Sequence, residues 1–286
     1  MPAIPQGPLA RAERTEVANY LAERLSGAVS LDVWTVEDSP GGLIRTDRDV
    51  CTKCPDVLAL VRQITTLHPA LTVTPYNLQR HADRAAAAHV ELAPTVVVRG
   101  HGRSVQLVGL FAGALFPVML DAIGFASNGL TPVQKETRAA LQALTAPVTL
   151  EAMVEPYDGY SAHLARLVAA FGVESKQIRA RVVEMAEFPI LAGQRTLNEV
   201  PALTINGRRF AGTWFEDDLL AQITRVLEGN TEPVIRDQVL TTPYLSEDDA
   251  LELARQQSAA QSEAQQLAPR GDEETSGGGL YIPGRG

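Results

Sequence analysis

The chain says nearly the same thing twice, and that repetition limits its folds more than any other property. "VSLDVWTV" at 29–36 matches "VTLEAMVE" at 148–155. Each follows a stretch with helical spacing: Thr15 to Leu25, where Val17, Leu21 and Leu25 recur every fourth residue, and Val133 to Leu144, with Ala140, Leu141 and Leu144. Further on, "LAPTVVVRGHGRSVQLVGLFAGALFPVMLDAI" at 92–123 parallels "EVPALTINGRRFAGTWFEDDLLAQITRVL" at 199–227. Both give an apolar-Pro pair, a β-rich run, a Gly-containing turn, a second short strand, a glycine and a closing helix. A repeat of this length marks a duplicated supersecondary unit.

Between these ends each half carries a helix and a strand-helix pair, so both read α-β-α-β-α-β-β-α. That order predicts an α/β fold with a mixed sheet between helices. In the first half the helix is Cys54 to Leu67, the strand Leu71 to Thr74, and the next helix "RHADRAAAAH". In the second they are Ser161 to Phe171, Ala180 to Met185 and "FPILAGQRTL". Asn206-Gly207 is a two-residue hairpin signal for the last strand pair. The expected division is 1–126, a unit with both cysteines; 127–230, a unit with none; and 231–286, an acidic, Gly-rich tail expected to be mostly disordered, with one polar helix around Glu247 to Gln266.

With 286 residues and 45% hydrophobic content, two ordinary cores are expected. A net charge of −9 disfavours a phosphate backbone or an anionic membrane surface as partner. "MPAIPQGPLARAERTEV" has no basic head followed by an apolar run, and no window reads as a spanning helix. These features predict a soluble, cytoplasmic chain that binds neither nucleic acid nor membrane.

Cys51 and Cys54 are the chain's two cysteines. In a reducing compartment a close-spaced pair is more often catalytic or metal-binding than a permanent staple. A dithiol at a helix start has chemical meaning: free N–H groups and the positive end of the macrodipole stabilise a thiolate on Cys51, and Lys53 adds charge. Cys54, one turn on, is placed to attack a mixed disulfide formed by Cys51. Pro55 just inside the helix is tolerated because N–H groups there lack intrahelical partners. The competing metal reading needs two more ligands from the carboxylates or from His68, His81, His89, His101 and His163, which show no ligand spacing.

Asp32 sits among Leu31, Val33 and Trp34 in a strand. If buried, it would have a raised pKa and would serve as proton carrier for Cys54; a strand-end Asp that sees water is the alternative. Glu151 is its repeat mate. Pro94 and Pro201 each begin a strand, as edge prolines or as rigid cis turns lining the site.

"CTKCPDVLALV" followed by "LAPTVVV" resembles the N-terminal thiol-disulfide domain of the alkyl hydroperoxide reductase flavoprotein subunit. The tandem layout and "VGLFAGALF" resemble the glutaredoxin-like protein disulfide oxidoreductases. The resemblance covers residues 12–230. It implies two tandem thioredoxin-like folds, with Cys51 as attacking thiol, Cys54 as resolving thiol, Asp32 as buried acid and Pro94 as a cis-proline opposite the dithiol. It also implies Asp158 and Ser161 at the positions of a lost second cysteine pair. Residues 36–49 lengthen the loop before Cys51 and are expected to form a flap over it.

These residues predict a thiol-disulfide oxidoreductase that works without a bound cofactor or metal. Its expected partners are a disulfide-bearing protein substrate, a peroxiredoxin being one candidate, and a separate protein or thiol as reductant. The alternative is a non-enzymatic adapter on a degenerate scaffold, with a regulatory or metal-bound dithiol. Unit two is expected to be a scaffold whose closing helix packs through Leu219, Leu220 and Ile223.

Overall fold

The computed structural model describes residues 8–36 and 51–267. The first half runs α1 (Arg11–Arg24), β1 (Val29–Thr35), α2 (Cys54–Thr65), β2 (Leu71–Asn77), α3 (Ala82–Ala88), β3 (Thr95–Gly100), β4 (Arg103–Val108) and α4 (Phe116–Asn128). The second runs α5 (Lys135–Gln142), β5 (Val148–Val154), α6 (Gly159–Glu174), β6 (Ile178–Glu184), α7 (Pro189–Gln194), the short β7 (Glu199–Val200), β8 (Ala202–Ile205), β9 (Arg208–Ala211) and α8 (Glu216–Leu227). The predicted element order is present in both halves. The expected boundary at 126/127 falls inside α4; the halves meet after Gly129, which ends that helix in the left-handed conformation.

The two sheets are continuous. Their strands form one eight-stranded sheet in the order β2-β1-β3-β4-β6-β5-β8-β9. The join is a parallel pairing of β4 with β6, from Val105 opposite Ala180 to Val108 opposite Val183. One apolar core runs through both halves, from Leu21, Leu31 and Ile64 to Phe171, Leu203 and Ile223. The two predicted domains are therefore two repeats fused into one compact body, Met1–Ser246. An edge strand left open on either repeat would expose its backbone donors and acceptors, and the β4–β6 ladder satisfies them.

The helices seal the join. α4 and α6 are buried along most of their length. Close approach is built in by glycine: a Cβ on Gly172 would come within 2.4 Å of the Ala180 Cβ, and one on Gly100 within 2.2 Å of the Ala126 carbonyl oxygen. The closing helix α8 buries Leu219 and Ile223 and partly buries Leu220 against the core, as the sequence predicts.

The tail starts later than expected. Residues 231–246 return over unit two, where β10 (Thr242–Pro243) pairs antiparallel with β7. Side chains from this segment are bonded to the body, so no independent tail begins at 231. Arg236, for example, donates to the carbonyls of Thr213 and Ala211 at 2.5 and 2.6 Å. Composition does not reveal this attachment, because the segment is held mainly through its main chain. The predicted polar helix is α9 (Glu247–Leu267), with Glu247, Asp248 and Asp249 in its first turn, where acidic groups complement the dipole. The "GGGLYIPGRG" end and most of the expected 36–49 flap lie outside the described residues.

Gly172→Ala should destabilise the fold by about 1–3 kcal/mol through overpacking between α6 and β6. Gly193→Ala, in α7 with nothing within 4 Å of a new Cβ, should be neutral or stabilising by about 0.5–1 kcal/mol. Urea unfolding of the two variants measures both.

Candidate dithiol site

β1, β2, β4, β5 and β6 run in one direction, so their C-terminal ends line one edge of the sheet. The cysteines stand on that edge. After β1 the chain passes Val36 and re-enters the described region at Cys51, and Cys54 opens α2 with Pro55 behind it. The two sulfurs form a disulfide, with Cα atoms 5.4 Å apart, so the structure represents the oxidised state. The Cys54 N–H donates to the Cys51 carbonyl at 3.2 Å, and the Val36 N–H donates to the Cys54 sulfur at 3.4 Å. Cys54 is buried, at 3% exposure, whereas Cys51 is partly exposed. Cys51 is thus the more accessible residue of the pair.

Pro94 is buried and its peptide bond with Ala93 is cis. Thr95, the next residue, pairs with Trp34 across the β1–β3 ladder. Continuing that register brings Pro94 beside Thr35 and the turn at Val36, whose N–H touches Cys54. The topology therefore gathers Cys51, Cys54 and Pro94 at one end of β1. Pro201 has the same cis bond with Val200 in unit two.

Asp32 does not join them. Leu31 and Val33 face the core that holds α2, while Trp34 and its neighbour Val97 face the cluster under α3. Strand alternation puts Asp32 on the Trp34 face, away from the dithiol helix. Its side chain keeps 15% exposure and accepts from the Arg99 Nε at 2.7 Å. The acid expected beneath the dithiol is instead a partly buried, ion-paired group on the opposite face of β1. Arg99 stands opposite Ser30, two residues from Asp32 along the ladder, a diagonal pair that a reading of one strand cannot reveal. Glu151 repeats the device, held by Arg181 at 3.3 Å and by Arg195.

Unit two preserves the geometry and not the chemistry. The Glu155 N–H donates to the Ser161 hydroxyl at 3.0 Å, the counterpart of Val36 and Cys54. Asp158 takes the Cys51 position, where its Oδ1 accepts from the Ser161 N–H at 2.8 Å and caps α6. Asp158 is thus a helix cap. Ser161 is fully buried, and His163 donates instead to the Trp214 carbonyl at 3.0 Å, so no base serves that hydroxyl. The connection from strand to helix is 155–158 in unit two and 36–53 in unit one, which locates the insertion in the cysteine-bearing repeat.

Sequence reasoning missed a pair of buried carboxylates at this edge. Burial raises Glu155 from its ordinary 4.5 to about 7, against the Leu245 N–H that favours its charged form, with Asp158 adding repulsion. Burial raises Glu184 to about 8, helped by Glu187 and Glu155 and opposed by the N–H groups of Ala186 and Glu187. The signal was an acid ending each apolar strand, in "MVEP" and "VVEM". Among the described residues no group of His, Cys, Asp and Glu is arranged to hold a metal.

The fold is that of two fused thioredoxin-like units. It is shared with a protein disulfide oxidoreductase from Aeropyrum pernix, at TM-score 0.67 and 25% identity over 78% of this chain and 95% of that one. The AhpF component of the Enterococcus faecalis alkylhydroperoxide reductase superposes at TM-score 0.66, with 15% identity over 75% of this chain and 99% of the other. An N-terminal domain structure of the same protein gives 0.65, again at 15% identity. No protein-family model matches the sequence, and no curated protein matches it.

A carboxyl whose folded-state pKa is raised adds stability below its unfolded value, and this is lost as pH rises through the folded one. For Glu155 that window runs from 4.5 to about 7. Thermal unfolding of wild type should therefore lose more stability between pH 5 and pH 7.5 than that of Glu155→Gln, which keeps an acceptor for Leu245 but cannot ionise.

Proposed function

We propose that the protein is a thiol-disulfide oxidoreductase that reduces or exchanges disulfides through Cys51 and Cys54. The observation that carries this reading is a closed Cys51–Cys54 disulfide at the start of α2, with Cys51 partly exposed and Cys54 buried. In the reduced state the Cys51 thiolate, stabilised by the first-turn N–H groups of α2, attacks a substrate disulfide. A bond forms between Cys51 and one substrate sulfur, and the other leaves as a thiolate. Cys54 then gives its proton to water or to the first-released substrate thiolate and attacks the Cys51 sulfur; the second substrate thiolate departs and the internal disulfide closes. Two electrons pass from the protein to the substrate.

Reopening the disulfide takes two electrons from a separate dithiol protein or small thiol. No bound cofactor enters the exchange itself. A peroxiredoxin is one candidate substrate, suggested by the similarity in fold to a component of an alkylhydroperoxide reductase. The reducing cytoplasm fits the use of a lone close pair, and no helix among the described residues is long and apolar enough to cross a membrane. Cis-Pro94 stands at the same end of β1 as the dithiol, and unit two supplies the other half of the core.

Cys54→Ser should accumulate mixed disulfides on Cys51 when a disulfide substrate is added, seen as a mass increase that dithiothreitol removes. Cys51→Ser should abolish exchange. Absence of the adduct in the first variant would overturn the mechanism. Asp158→Ala with Ser161→Ala should leave the exchange rate within about twofold while lowering stability by about 1–2 kcal/mol through loss of the α6 cap.

A further inference from the structure

Residues 231–246 leave α8, cross unit two and end beside the start of α6. Their attachment is mostly through the main chain. Thr242 and Pro243 pair antiparallel with Val200 and Glu199, immediately before cis-Pro201. The Thr213 N–H donates to the Leu240 carbonyl at 3.1 Å and the Tyr244 N–H to the Asn198 carbonyl at 2.9 Å. The Leu245 N–H donates to the buried carboxyl of Glu155 at 2.7 Å.

Two side chains anchor this run. The Arg236 guanidinium lies 3.7 Å from the ring centre of Trp214, besides its bonds to the Thr213 and Ala211 carbonyls. Eight residues on, the Tyr244 hydroxyl donates to the Met185 carbonyl at 3.2 Å, and its ring packs on the cluster of Met153, Val183 and Val200. Between the anchors the segment stays at the surface: Asp237 and Gln238 are exposed and Val239 is 53% exposed. Gly212 makes room for it, since a Cβ there would come within 2.7 Å of Val239.

Main-chain pairing at an open strand, with side-chain anchors at fixed spacing, is how a sheet edge receives an extended peptide. A segment whose middle contributes little to the core is held as a ligand is held. We propose that this face of unit two is a recognition site for an extended polypeptide with an arginine eight residues before a tyrosine, filled in this chain by its own residues 236–245 as an intramolecular ligand. The site is independent of the dithiol reading, because neither cysteine takes part in it. It also gives the cysteine-free unit a task beyond burial. A tethered ligand acts at an effective concentration of the order of millimolar, so an external segment enters only when the tethered one is weakened.

The test uses the full chain and a labelled synthetic peptide of residues 231–246. Wild type should bind the peptide weakly. The full chain carrying Arg236→Ala and Tyr244→Ala should lose exchange protection at the Thr213 and Leu245 amides, keep it in β1 and β5, and bind the peptide at least tenfold more tightly. Arg236→Ala alone should give an intermediate gain. A peptide with alanine at both anchors should not bind. Three results would overturn the proposal: amides still protected in the double variant, released amides with no gain in peptide binding in both the double and the single variant, or an anchorless peptide that binds as well as the native one.

Discussion

The parallel ladder between β4 and β6 is the interaction on which the rest of the structure depends. Alone, each repeat would be a four-stranded sheet with an open edge. Joining them satisfies both edges and lets α4 and α6 share a single core. It also sets direction. With β1, β5 and β6 running the same way, the dithiol after β1, Glu184 at the end of β6 and Glu155 after β5 come out on one rim. Four strand spacings, across β3, β4 and β6, lead from β1 to β5, so about 19 Å separates them along it.

That rim shows how a duplicated fold divides its labour. Both repeats keep a helix start under a strand end, an N–H aimed at the side chain that opens the helix, and a cis-proline beginning the adjacent strand. In unit one the occupants are sulfurs that can form and break a bond. In unit two they are a carboxylate and a hydroxyl, and the same backbone becomes a helix cap. The scaffold that presents a thiol will hold an unreactive pair with almost no change in hydrogen bonding, so chemistry is lost more easily than geometry.

The rim also shows why a buried acid cannot be recognised from its neighbours on one strand. Asp32 and Glu155 both stand in apolar runs. Asp32 points to the α3 face and finds Arg99 on the next strand, so it remains an ion pair near water. Glu155 lies beyond its strand end, meets the returning main chain at Leu245 and faces Asp158, with burial dominating its titration. Side-chain direction and the cross-strand partner decide between the two outcomes.

The sequence by itself determined the duplication, the order of elements in each half, the closing-helix core positions, the polar helix after residue 246, and the pairing of Cys51 with Cys54 at a helix start. These are local matters: hydrophobic period, turn residues and spacing along a few turns encode them. The cis form of the two prolines, the fusion into one sheet, the face on which Asp32 lies, and the return of residues 231–246 over unit two were decided only in the tertiary structure. Each depends on a partner far away in sequence, Val183 for Val108, Arg99 for Asp32, Trp214 for Arg236. No local pattern specifies such a partner, because main-chain pairing and guanidinium contacts are nearly indifferent to the residues between them.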